Sequence, residues 1–556
     1  MTGAQALLAA LGAMGVERIF ASPGSDWAPL WEALAVPAAG VPEYISSRHE
    51  ETAVAMAMGY AKATGKLPAV ALHTTVGSLH AGMILRAALH ERIPMVVLAG
   101  ESITFGEPPA KKVGHQWLRV LTDMGGPARL MEPCVKWSSA LNASALLPHT
   151  VQRACQLALS APRGPVFLSV PIEYLMEEGS FSAPQAALPA LPQPAASAIE
   201  ELASALSSAK RPVIITEEAG RDPAAAAALV ALAERLDAPV LEAWQPFYAN
   251  FPRSHPLYGG VVSDDMPQAL KDADFVLLVE SVLPWHPPAS LPAPGVKVAV
   301  LGEDPLHSRL PFWGFRSDFI LQGDVTQALR FLVQKITKSQ SKSSAWRERN
   351  EKQRAARREA ARAAGSLGVI GTRWVAHELN SILPENSVVV NETITHRLEL
   401  IRQLDRLQPG GYFEASYGGL GVGLGLALGI KHAARSRSVI VTIGDGAFHY
   451  NPVIASFGAA QEHRLPILVL LFDNAGYLSQ KMDVVNYYPT GDAVRTKRFA
   501  GTSITPRPDY AALSRAFGGT GERITKPSEV RPALQRGLDA IAECQLALVD
   551  VVLESV

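Results

Sequence analysis

Short runs of apolar and β-branched residues alternate along this chain with longer stretches rich in alanine and leucine. Runs such as Phe275–Val279 and Val439–Ile443 are apolar at almost every position, which is typical of strands buried on both faces. The longer stretches have the length and composition of helices. Strands that alternate with helices predict parallel sheets covered on both sides, so the expected fold class is α/β with doubly wound parallel sheets.

Two segments divide this alternating pattern into three consecutive parts of similar length. Residues 180–197 are rich in Pro, Ala and Ser, as in a semi-rigid linker, and residues 337–364 are strongly charged, as in an exposed helix. The predicted domains are therefore 1–180, 190–336 and 365–556, each a doubly wound parallel sheet. The predicted strands are Arg18–Ala21, Tyr44–Ser47, Ala69–His73, Met95–Ala99, Val166–Val170, Val213–Thr216, Val240–Glu242, Phe275–Val279, Lys297–Leu301, Val388–Asn391, Val439–Ile443, Ile467–Phe472 and Ala547–Val552.

Composition and charge narrow the class of protein. The chain has 556 residues, of which 48% are hydrophobic and 19% are charged, which is ordinary for a globular protein. Its 51 Lys and Arg against 52 Asp and Glu give a net charge of −1, so no basic excess is available to neutralise nucleic acid. The three cysteines, Cys134, Cys155 and Cys544, lie far apart and predict neither disulfides nor a metal site. Without a basic leader or an apolar span of about 20 residues, we expect a cytoplasmic protein with neither membrane nor nucleic acid as a partner.

The most informative polar residues follow two predicted strands in the last third of the chain. Val439–Ile443 runs into a Gly-Asp-Gly turn around Asp445, and Ile467–Phe472 is followed closely by Asn474. Glycines let a diphosphate approach the backbone, whose N–H groups favour anions. Mg²⁺ prefers hard oxygen ligands and often keeps phosphate oxygens among them. The carboxylate of Asp445 and the amide oxygen of Asn474 therefore predict a site for a metal-bound diphosphate.

This pattern resembles the signature of thiamine diphosphate-dependent enzymes, a family of 2-oxo acid decarboxylases and acetolactate synthase-like enzymes. The resemblance implies that Mg²⁺ binds the side chains of Asp445 and Asn474 and the backbone oxygen of Gly476. The implied contacts to thiamine diphosphate in this part of the chain are Thr395, Gly444, Asp445, Gly446, Ala447, Asn474, Gly476 and Tyr477. The family often has Asn where this chain has Asp473, and its spacing is slightly shorter, but neither departure removes a ligand.

A segment in the first third resembles the pyrimidine-binding part of the same family. The predicted strand Tyr44–Ser47 leads to the sequence RHEE, whose first acid is Glu50, and then to a helix closed by Gly65. The resemblance implies that Glu50 is essential. The cofactor's own imino group removes the proton from its reactive carbon, and this group forms only when the pyrimidine nitrogen receives a proton from a buried carboxyl group. Glu51 is the alternative, and it is interpreted as a solvated first-turn acid favoured by the helix dipole.

A glycine-rich turn before the strand of Asp445 supports this pairing of two motifs. In the family, a large aliphatic residue at this place bends thiamine into a V shape, and Leu420 matches that role. The carbonyl of Gly418 would accept a hydrogen bond from the cofactor's amino group. The bent shape brings the imino nitrogen against the reactive carbon, a positioning that speeds proton removal.

Three further sites resemble the benzoylformate decarboxylase branch of the family. They are Ser25 after an early strand, His73 in the sequence LHTTVG, and His286 in the sequence PWH. The resemblance implies that Ser25 orients the substrate carboxylate, that His73 protonates the alkoxide formed at the 2-oxo carbon, and that His286 makes the later proton transfer. Histidine suits these steps because its ordinary pKa lies near neutrality. The remaining histidines are interpreted as structural, including His49, His80, His115, His396 and His449.

The expected reaction is the non-oxidative decarboxylation of a 2-oxo acid to an aldehyde. Three polar residues after Asn474 stand where the aryl-specific relative has apolar side chains, so we expect a substrate smaller or more polar than benzoylformate. These residues are Ser479, Gln480 and Asp483. The main alternative is an acyloin-forming carboligase such as an acetolactate synthase-like enzyme, although the family's synthases usually lack a histidine at the position of His73.

Two weaker alternatives belong to other functional classes. A non-catalytic thiamine-binding subunit would have no need to keep Glu50, Asp445 and Asn474 together. A CoA-thioester lyase would need a basic cluster for the CoA phosphates, and the chain has only scattered arginines in its central third. In the family, Glu50 and Asp445 come from different subunits, so we expect at least a homodimer, assembled as a dimer of dimers with active sites at the interface. The resemblance leaves open whether the central domain binds a nucleotide such as FAD.

Overall fold

The structure is a computed structural model of the chain. It describes residues 1–104, 114–115, 117–118, 122–182, 186–263, 266–285, 292–336, 344–415 and 419–554. Contacts between residues divide the chain into two units. The first unit comprises Met1–Ala190, Ala415–Ser436 and Phe448–Ile467, and the second comprises Leu191–Glu414, Arg437–Ala447 and Leu468–Val556.

The apolar runs form three parallel sheets of six strands, one in the first unit and two in the second. The strands of the first sheet are β1 (Arg18–Ser22), β2 (Glu43–Ser46), β3 (Ala69–Leu72), β4 (Met95–Glu101), β5 (Trp137–Ala140) and β6 (Pro165–Pro171). Those of the second are β7 (Pro212–Thr216), β8 (Val240–Glu242), β9 (Tyr258–Val261), β10 (Phe275–Val279), β11 (Lys297–Gly302) and β12 (Phe319–Gln322). Those of the third are β13 (Val388–Glu392), β14 (Tyr412–Glu414), β15 (Val439–Gly444), β16 (Leu468–Asp473), β17 (Thr520–Ile524) and β18 (Ala547–Val552).

Helices alternate with these strands along the described part of the chain. They are α1 (Gly3–Ala13), α2 (Ala28–Leu34), α3 (Glu50–Thr64), α4 (Thr74–His90), α5 (Gly126–Met131), α6 (Leu147–Leu159), α7 (Ile172–Met176), α8 (Ala196–Ser208), α9 (Pro223–Leu236), α10 (Gln268–Asp272), α11 (Val325–Lys335), α12 (Ser344–Ala364), α13 (Thr372–Ile382), α14 (Arg397–Gln403), α15 (Gly423–Ala433), α16 (Asp445–Tyr450), α17 (Val453–Glu462), α18 (Leu478–Tyr487), α19 (Asp492–Thr496), α20 (Tyr510–Ala516) and α21 (Val530–Ala542). None of the helices in the described ranges is both long and apolar enough to cross a membrane.

The predicted fold class is confirmed, because the sheets are parallel and helices flank them. The strand orders are β2-β1-β3-β4-β6-β5, β12-β11-β10-β7-β8-β9 and β14-β13-β15-β16-β18-β17. Every predicted strand forms, with ends within two residues of the prediction. Five strands were not predicted, namely β5, β9, β12, β14 and β17, and each lies at an edge of its sheet. Four of these strands contain partly or fully exposed positions, and β14 has only three residues, so none has a long apolar run to reveal it.

The two predicted linkers differ in structure. The described residues 186–195 form neither helix nor strand, and α8 begins at Ala196. The charged segment forms α12, as predicted, while residues 337–343 lie outside the described part of the chain. Arg347 of α12 forms an ion pair with Asp237 at 3.0 Å, so part of the basic face is bound to the protein surface. The boundaries at 180, 190, 336 and 365 remain a prediction.

Helices α3 and α15 of the first unit touch through their backbones. A Cβ atom built on Gly59 of α3 would lie 2.1 Å from the carbonyl oxygen of Leu426, and one built on Gly429 of α15 would lie 2.0 Å from that of Met56. No side chain fits at either contact, so both positions require glycine. Because Glu50 is the first residue of α3, this contact fixes the helix that carries the predicted acid.

Candidate active site

Polar residues follow three neighbouring strands of the third sheet. Strands β13, β15 and β16 are adjacent and parallel. Thr395 lies in the turn after β13, Asp445 follows β15 directly, and Asn474 follows β16 directly. Since the carboxyl ends of parallel strands meet at one edge of a sheet, the second unit brings these three predicted residues together there.

Asp445 is almost fully buried at the start of α16, with 1% exposure. The N–H of Gly446 donates to its Oδ1 at 2.8 Å, and the N–H of Gly476 donates to its Oδ2 at 3.0 Å. Burial, together with the nearby charge of Asp473, raises the pKa of the Asp445 carboxyl to about 7. Two neutral donors do not cancel a buried negative charge, so the surroundings of Asp445 favour a bound cation.

Asn474 is oriented by a histidine that the sequence analysis interpreted as structural. Nε2 of His396 lies 3.4 Å from the amide nitrogen of Asn474, and Nδ1 lies 2.8 Å from the hydroxyl of Thr372. Burial lowers the pKa of His396 to about 4, so the ring is uncharged and carries one proton. A proton on Nδ1 leaves Nε2 to accept from the amide of Asn474, whose oxygen is then available to a metal ion. No motif in the sequence indicates this role of His396.

The other predicted cofactor residues of the second unit lie around the same turn. Nothing lies within 4 Å of a Cβ atom built on Gly444, so the space beside this glycine is open, while one built on Gly446 would lie 2.9 Å from the ring of Tyr477. A Cβ atom on Gly476 would lie 2.3 Å from the carbonyl oxygen of Thr502, so a side chain is excluded there. Ala447 is buried at 5% exposure.

Asp473 stands where the family often has Asn, and the structure accounts for the departure. The side chain is fully buried, and its Oδ1 accepts the N–H of Ala475 at 3.0 Å. Its Oδ2 lies 3.1 Å from Nε of Arg507, which compensates the additional negative charge. Asp473 therefore supports the turn that carries Asn474, and Arg507 was not predicted.

A cavity of about 390 Å³ lies beside Asn474 in the second unit. Its lining includes Tyr477, Lys481, Lys497 and Arg507. Lysine and arginine side chains give this cavity a positive and polar wall, while Ser479, Gln480 and Asp483 are not among its lining residues.

Glu50 begins α3 in the first unit, where three titratable side chains meet. Its side chain is 16% exposed, and its Oε2 lies 3.3 Å from Nδ1 of His80. His49 caps the helix by accepting the N–H of Glu51 at 3.2 Å, and its ring stacks on that of His80 with centroids 5.5 Å apart. Glu51 is partly buried and therefore less solvated than expected, and this burial raises the pKa of its carboxyl.

His73 follows β3 directly and lies near Glu50. Its Nδ1 is 2.7 Å from Oδ1 of Asp26, a fully buried carboxylate. The hydrogen bond to Asp26 is the largest cause of the raised pKa of His73, and the charge of Glu50 adds to it. A Cβ atom built on Gly77 would lie 3.1 Å from Oε1 of Glu50 and 3.3 Å from Cβ of His73, so both side chains lie against this glycine. The structure therefore brings Glu50 and His73 together.

Two of the other predicted residues, Ser25 and Leu420, lie in the described part of the first unit. Ser25 is exposed and begins the short 3-10 turn that also carries Asp26. Leu420 lies in the first unit, in the irregular segment before α15. Gly418 and His286 lie outside the described residues.

Three models of one enzyme family match successive parts of the chain. The N-terminal thiamine pyrophosphate-binding domain matches residues 1–120, the central domain matches residues 199–332, and the C-terminal thiamine pyrophosphate-binding domain matches residues 395–551. The chain belongs to the thiamine pyrophosphate enzyme family. Thiamine pyrophosphate is another name for thiamine diphosphate, so the predicted family is confirmed.

Family members that are named for different reactions are similar to the chain over nearly its whole length. Benzoylformate decarboxylase of Pseudomonas aeruginosa is 27% identical over 541 residues, with 95% of this chain and 94% of the relative covered. The large subunit of acetolactate synthase isozyme 2 of Escherichia coli is 25% identical over 556 residues, with 97% and 94% covered. The solved structure of benzoylformate decarboxylase from Polynucleobacter necessarius has a TM-score of 0.81 at 20% identity, covers 100% of both chains, and bears on the fold alone.

In the second sheet, carboxylates near the ends of the strands accept hydrogen bonds from backbone N–H groups. Oε2 of Glu217 accepts the N–H groups of Val282 at 2.7 Å and Leu283 at 2.8 Å. Oε1 of Glu280 accepts the N–H of Glu303 at 2.6 Å. Nucleotides bind such sheets at the carboxyl ends of the strands, where N–H groups receive their phosphates. These described acids therefore disfavour a nucleotide diphosphate at this place in a thiamine pyrophosphate enzyme.

Proposed function

We propose that this thiamine diphosphate-dependent enzyme decarboxylates a 2-oxo acid to an aldehyde without oxidation. The observation that carries the proposal is the placement of His73 beside Glu50, with the buried carboxylate of Asp26 bound to the imidazole. Loss of carbon dioxide must be accompanied by proton transfers near neutral pH, and a positioned histidine can make them. The likeness of the His73 segment to the benzoylformate decarboxylase branch supports the same reaction.

Glu50 holds the proton that the pyrimidine nitrogen of the cofactor needs. Its carboxyl group is 16% exposed at the start of α3, so it is largely shielded from solvent. The neighbouring Nδ1 of His80, 3.3 Å from Oε2, can exchange that proton with solvent.

His73 gives a proton from Nε2 to the oxyanion that develops at the 2-oxo carbon of the substrate. Ser25 donates a hydrogen bond from its exposed hydroxyl to the substrate carboxylate. His286 remains the predicted second proton donor. When bound, the thiazolium ring of thiamine diphosphate takes up the electron pair that departing carbon dioxide leaves behind.

Asp445, Asn474 and the carbonyl of Gly476 hold Mg²⁺ and, through it, the diphosphate. The donor set is all oxygen, as this ion prefers, and the raised pKa of buried Asp445 indicates a position that favours positive charge. Thr395, the glycines around Asp445, Ala447 and Tyr477 complete the diphosphate pocket. Leu420 and Gly418 bend and hold the pyrimidine end.

The substrate is a 2-oxo acid with a polar side chain. Ser479 and Gln480 are hydrogen-bonded to each other at 2.8 Å in α18, and Asp483 is exposed on the same helix. The lysine side chains of the cavity beside Asn474 also suit a polar substituent better than an aryl ring.

Product analysis with a panel of 2-oxo acids tests the reaction. Enzyme loaded with thiamine diphosphate and Mg²⁺ is incubated with each acid, and carbon dioxide, aldehyde and acyloin are measured, with the Glu50→Gln enzyme as the blank. We expect aldehyde in the same molar amount as carbon dioxide, with more turnover of polar substrates than of benzoylformate. Acetolactate from pyruvate would instead establish the carboligase, the one alternative that the similarity to acetolactate synthase supports. The proposal fails if no 2-oxo acid releases carbon dioxide.

Mixing two inactive variants tests whether the site forms between subunits. If Glu50 and Asp445 of one site come from different chains, a dimer of one Glu50→Gln chain and one Asp445→Asn chain keeps one intact site. Random exchange at equal amounts should then restore about one quarter of the wild-type activity. The control is each variant exchanged with itself, which should recover nothing. Absence of recovery from the mixture, despite exchange shown by mass spectrometry, would place both residues on one chain.

A further inference from the structure

The carboxylate of Asp26 lies behind His73, and the sequence alone did not single it out. Asp26 has 0% exposure. Its Oδ1 is 2.7 Å from Nδ1 of His73, and its Oδ2 accepts the N–H of Thr74 at 3.3 Å. Asp26 therefore contacts both the imidazole and the backbone at the point where β3 passes into α4.

The backbone around this pair leaves room for it only because two residues are glycine. A Cβ atom built on Gly100 of β4 would lie 2.0 Å from Oδ2 of Asp26, and one built on Gly24 would lie 2.1 Å from Nδ1 of His73. Thr74 has a φ of 24°, which is strained for a β-branched residue, and its N–H is the group bound by Asp26. A strained turn and close contacts on both sides of the pair leave the imidazole little freedom to turn.

We propose that Asp26 is the positioning residue of His73: it accepts a hydrogen bond from Nδ1–H, which fixes the tautomer and leaves Nε2 as the nitrogen that exchanges a proton with the substrate. The inference rests on the proposed function of His73, and it adds a residue and a defined proton position to it. A buried carboxylate on one imidazole nitrogen directs the reactive lone pair or proton to the other nitrogen.

The two carboxylates that face His73 have the same effect on its pKa. Asp26 faces it from the turn after β1 and Glu50 from α3, while His80 of α4 is bound to Glu50. Both carboxylates raise the pKa of His73, and partial burial opposes them. His73 therefore keeps its Nε2 proton to a higher pH than an exposed histidine, and replacing Asp26 with a neutral side chain removes the larger of the two causes.

The Asp26→Asn variant tests the role in catalysis, because asparagine has nearly the same shape but no charge. Its kcat should fall by roughly tenfold or more, but by less than the roughly 10²–10⁴-fold loss expected for His73→Ala. The limb of the kcat/KM profile that reports His73 should move to lower pH, because the hydrogen bond to Asp26 is the largest cause of the raised pKa of His73. Combined with His73→Ala, the Asp26→Asn change should have no further effect on kcat, since Asp26 acts through His73.

A labelling experiment tests the pair without any turnover. Diethyl pyrocarbonate modifies only uncharged imidazoles, and peptide mass spectrometry follows its reaction with His73 in the holoenzyme as the pH is varied. In the wild type the midpoint should lie above about 6.5, the ordinary value for histidine, and it should fall in Asp26→Asn. A wild-type midpoint at or below that value overturns the proposal even if the variant does not fold. Failure of the proposed reaction would leave this result unaffected.

Trp27→Phe is the matched control for a local structural effect. Trp27 is the next residue, is also fully buried, and donates from Nε1 to the carbonyl of Leu72 at 2.7 Å, one residue before His73. Its replacement disturbs the same strand end without touching the pair. We expect no change in the labelling midpoint of His73. An equal fall in Trp27→Phe and Asp26→Asn, or no fall in either, would overturn the assignment.

Discussion

The Glu50→Gln enzyme is expected to bind thiamine diphosphate and Mg²⁺ but to lose turnover by roughly 10²–10⁴-fold. Glutamine keeps the size and polarity of the side chain, which begins α3 and is mostly buried. It cannot alternate between an acid and its conjugate base, so it cannot provide the proton that activates the pyrimidine. Steady-state kinetics measure the loss, and proton exchange at the reactive carbon of the bound cofactor, followed by NMR, should slow in parallel.

Glu51→Gln provides the control, since it makes the same chemical change one residue further along α3. Burial raises the pKa of Glu51, so this acid is also partly shielded from solvent and makes a close control. We expect Glu51→Gln to retain activity within a few fold of the wild type. Equal losses in both variants would indicate a general effect on the start of α3, and full activity of Glu50→Gln would remove the basis of the proposed function.

Replacing Asp445 with asparagine should abolish cofactor loading at ordinary Mg²⁺ concentrations. The change removes a negatively charged oxygen ligand from a buried position where both oxygens accept backbone N–H groups. Asparagine can supply only one oxygen, and its amide group would face an N–H donor. The apparent affinity for thiamine diphosphate in Mg²⁺ should weaken by roughly 100-fold or more, as measured by equilibrium dialysis.

The affinity of the wild type for thiamine diphosphate and Mg²⁺ should also depend on pH, and the direction of this dependence follows from Asp445. Burial and the charge of Asp473 raise the pKa of Asp445 to about 7, so below that pH a proton occupies the carboxylate that the cation needs. Affinity should therefore fall as the pH falls through about 7, and Asp445→Asn should lose this dependence. Asp492→Asn, at an aspartate of the same unit that is 87% exposed, should bind and titrate like the wild type. Binding without any pH dependence in the wild type would contradict the role of Asp445.

The sequence predicted central strands far better than edge strands, for a physical reason. Central strands such as β7 and β10 are buried on both faces along their whole length, so every position is apolar or small. At the edges, β17 (TGERI) has only Ile524 buried, and β5 (WSSA) is partly exposed at each position. These edge strands are held by pairing to one neighbour, which side-chain composition does not record.

The candidate site was predictable wherever a residue does chemistry within a recognisable motif. Glu50 begins the helix that follows β2, and Asp445 lies between two glycines at the end of β15, so both positions could be named from the sequence. Asp26 and His396 could not, because their roles depend on contacts with residues 47 and 78 positions away, His73 and Asn474. A supporting side chain has no motif of its own, so only the folded backbone reveals it.

The crossing of α3 and α15 has a consequence for how such an enzyme can change. The distance between these helices is set by carbonyl oxygens in contact with glycine Cα atoms, so no exchange of side chains nearby can widen or narrow it. The acid at the start of α3 is therefore carried by a helix whose packing against α15 depends on backbone contacts. Under the proposed function, substitutions on α18 that change the substrate preference would leave the packing of the helix that carries Glu50 unchanged.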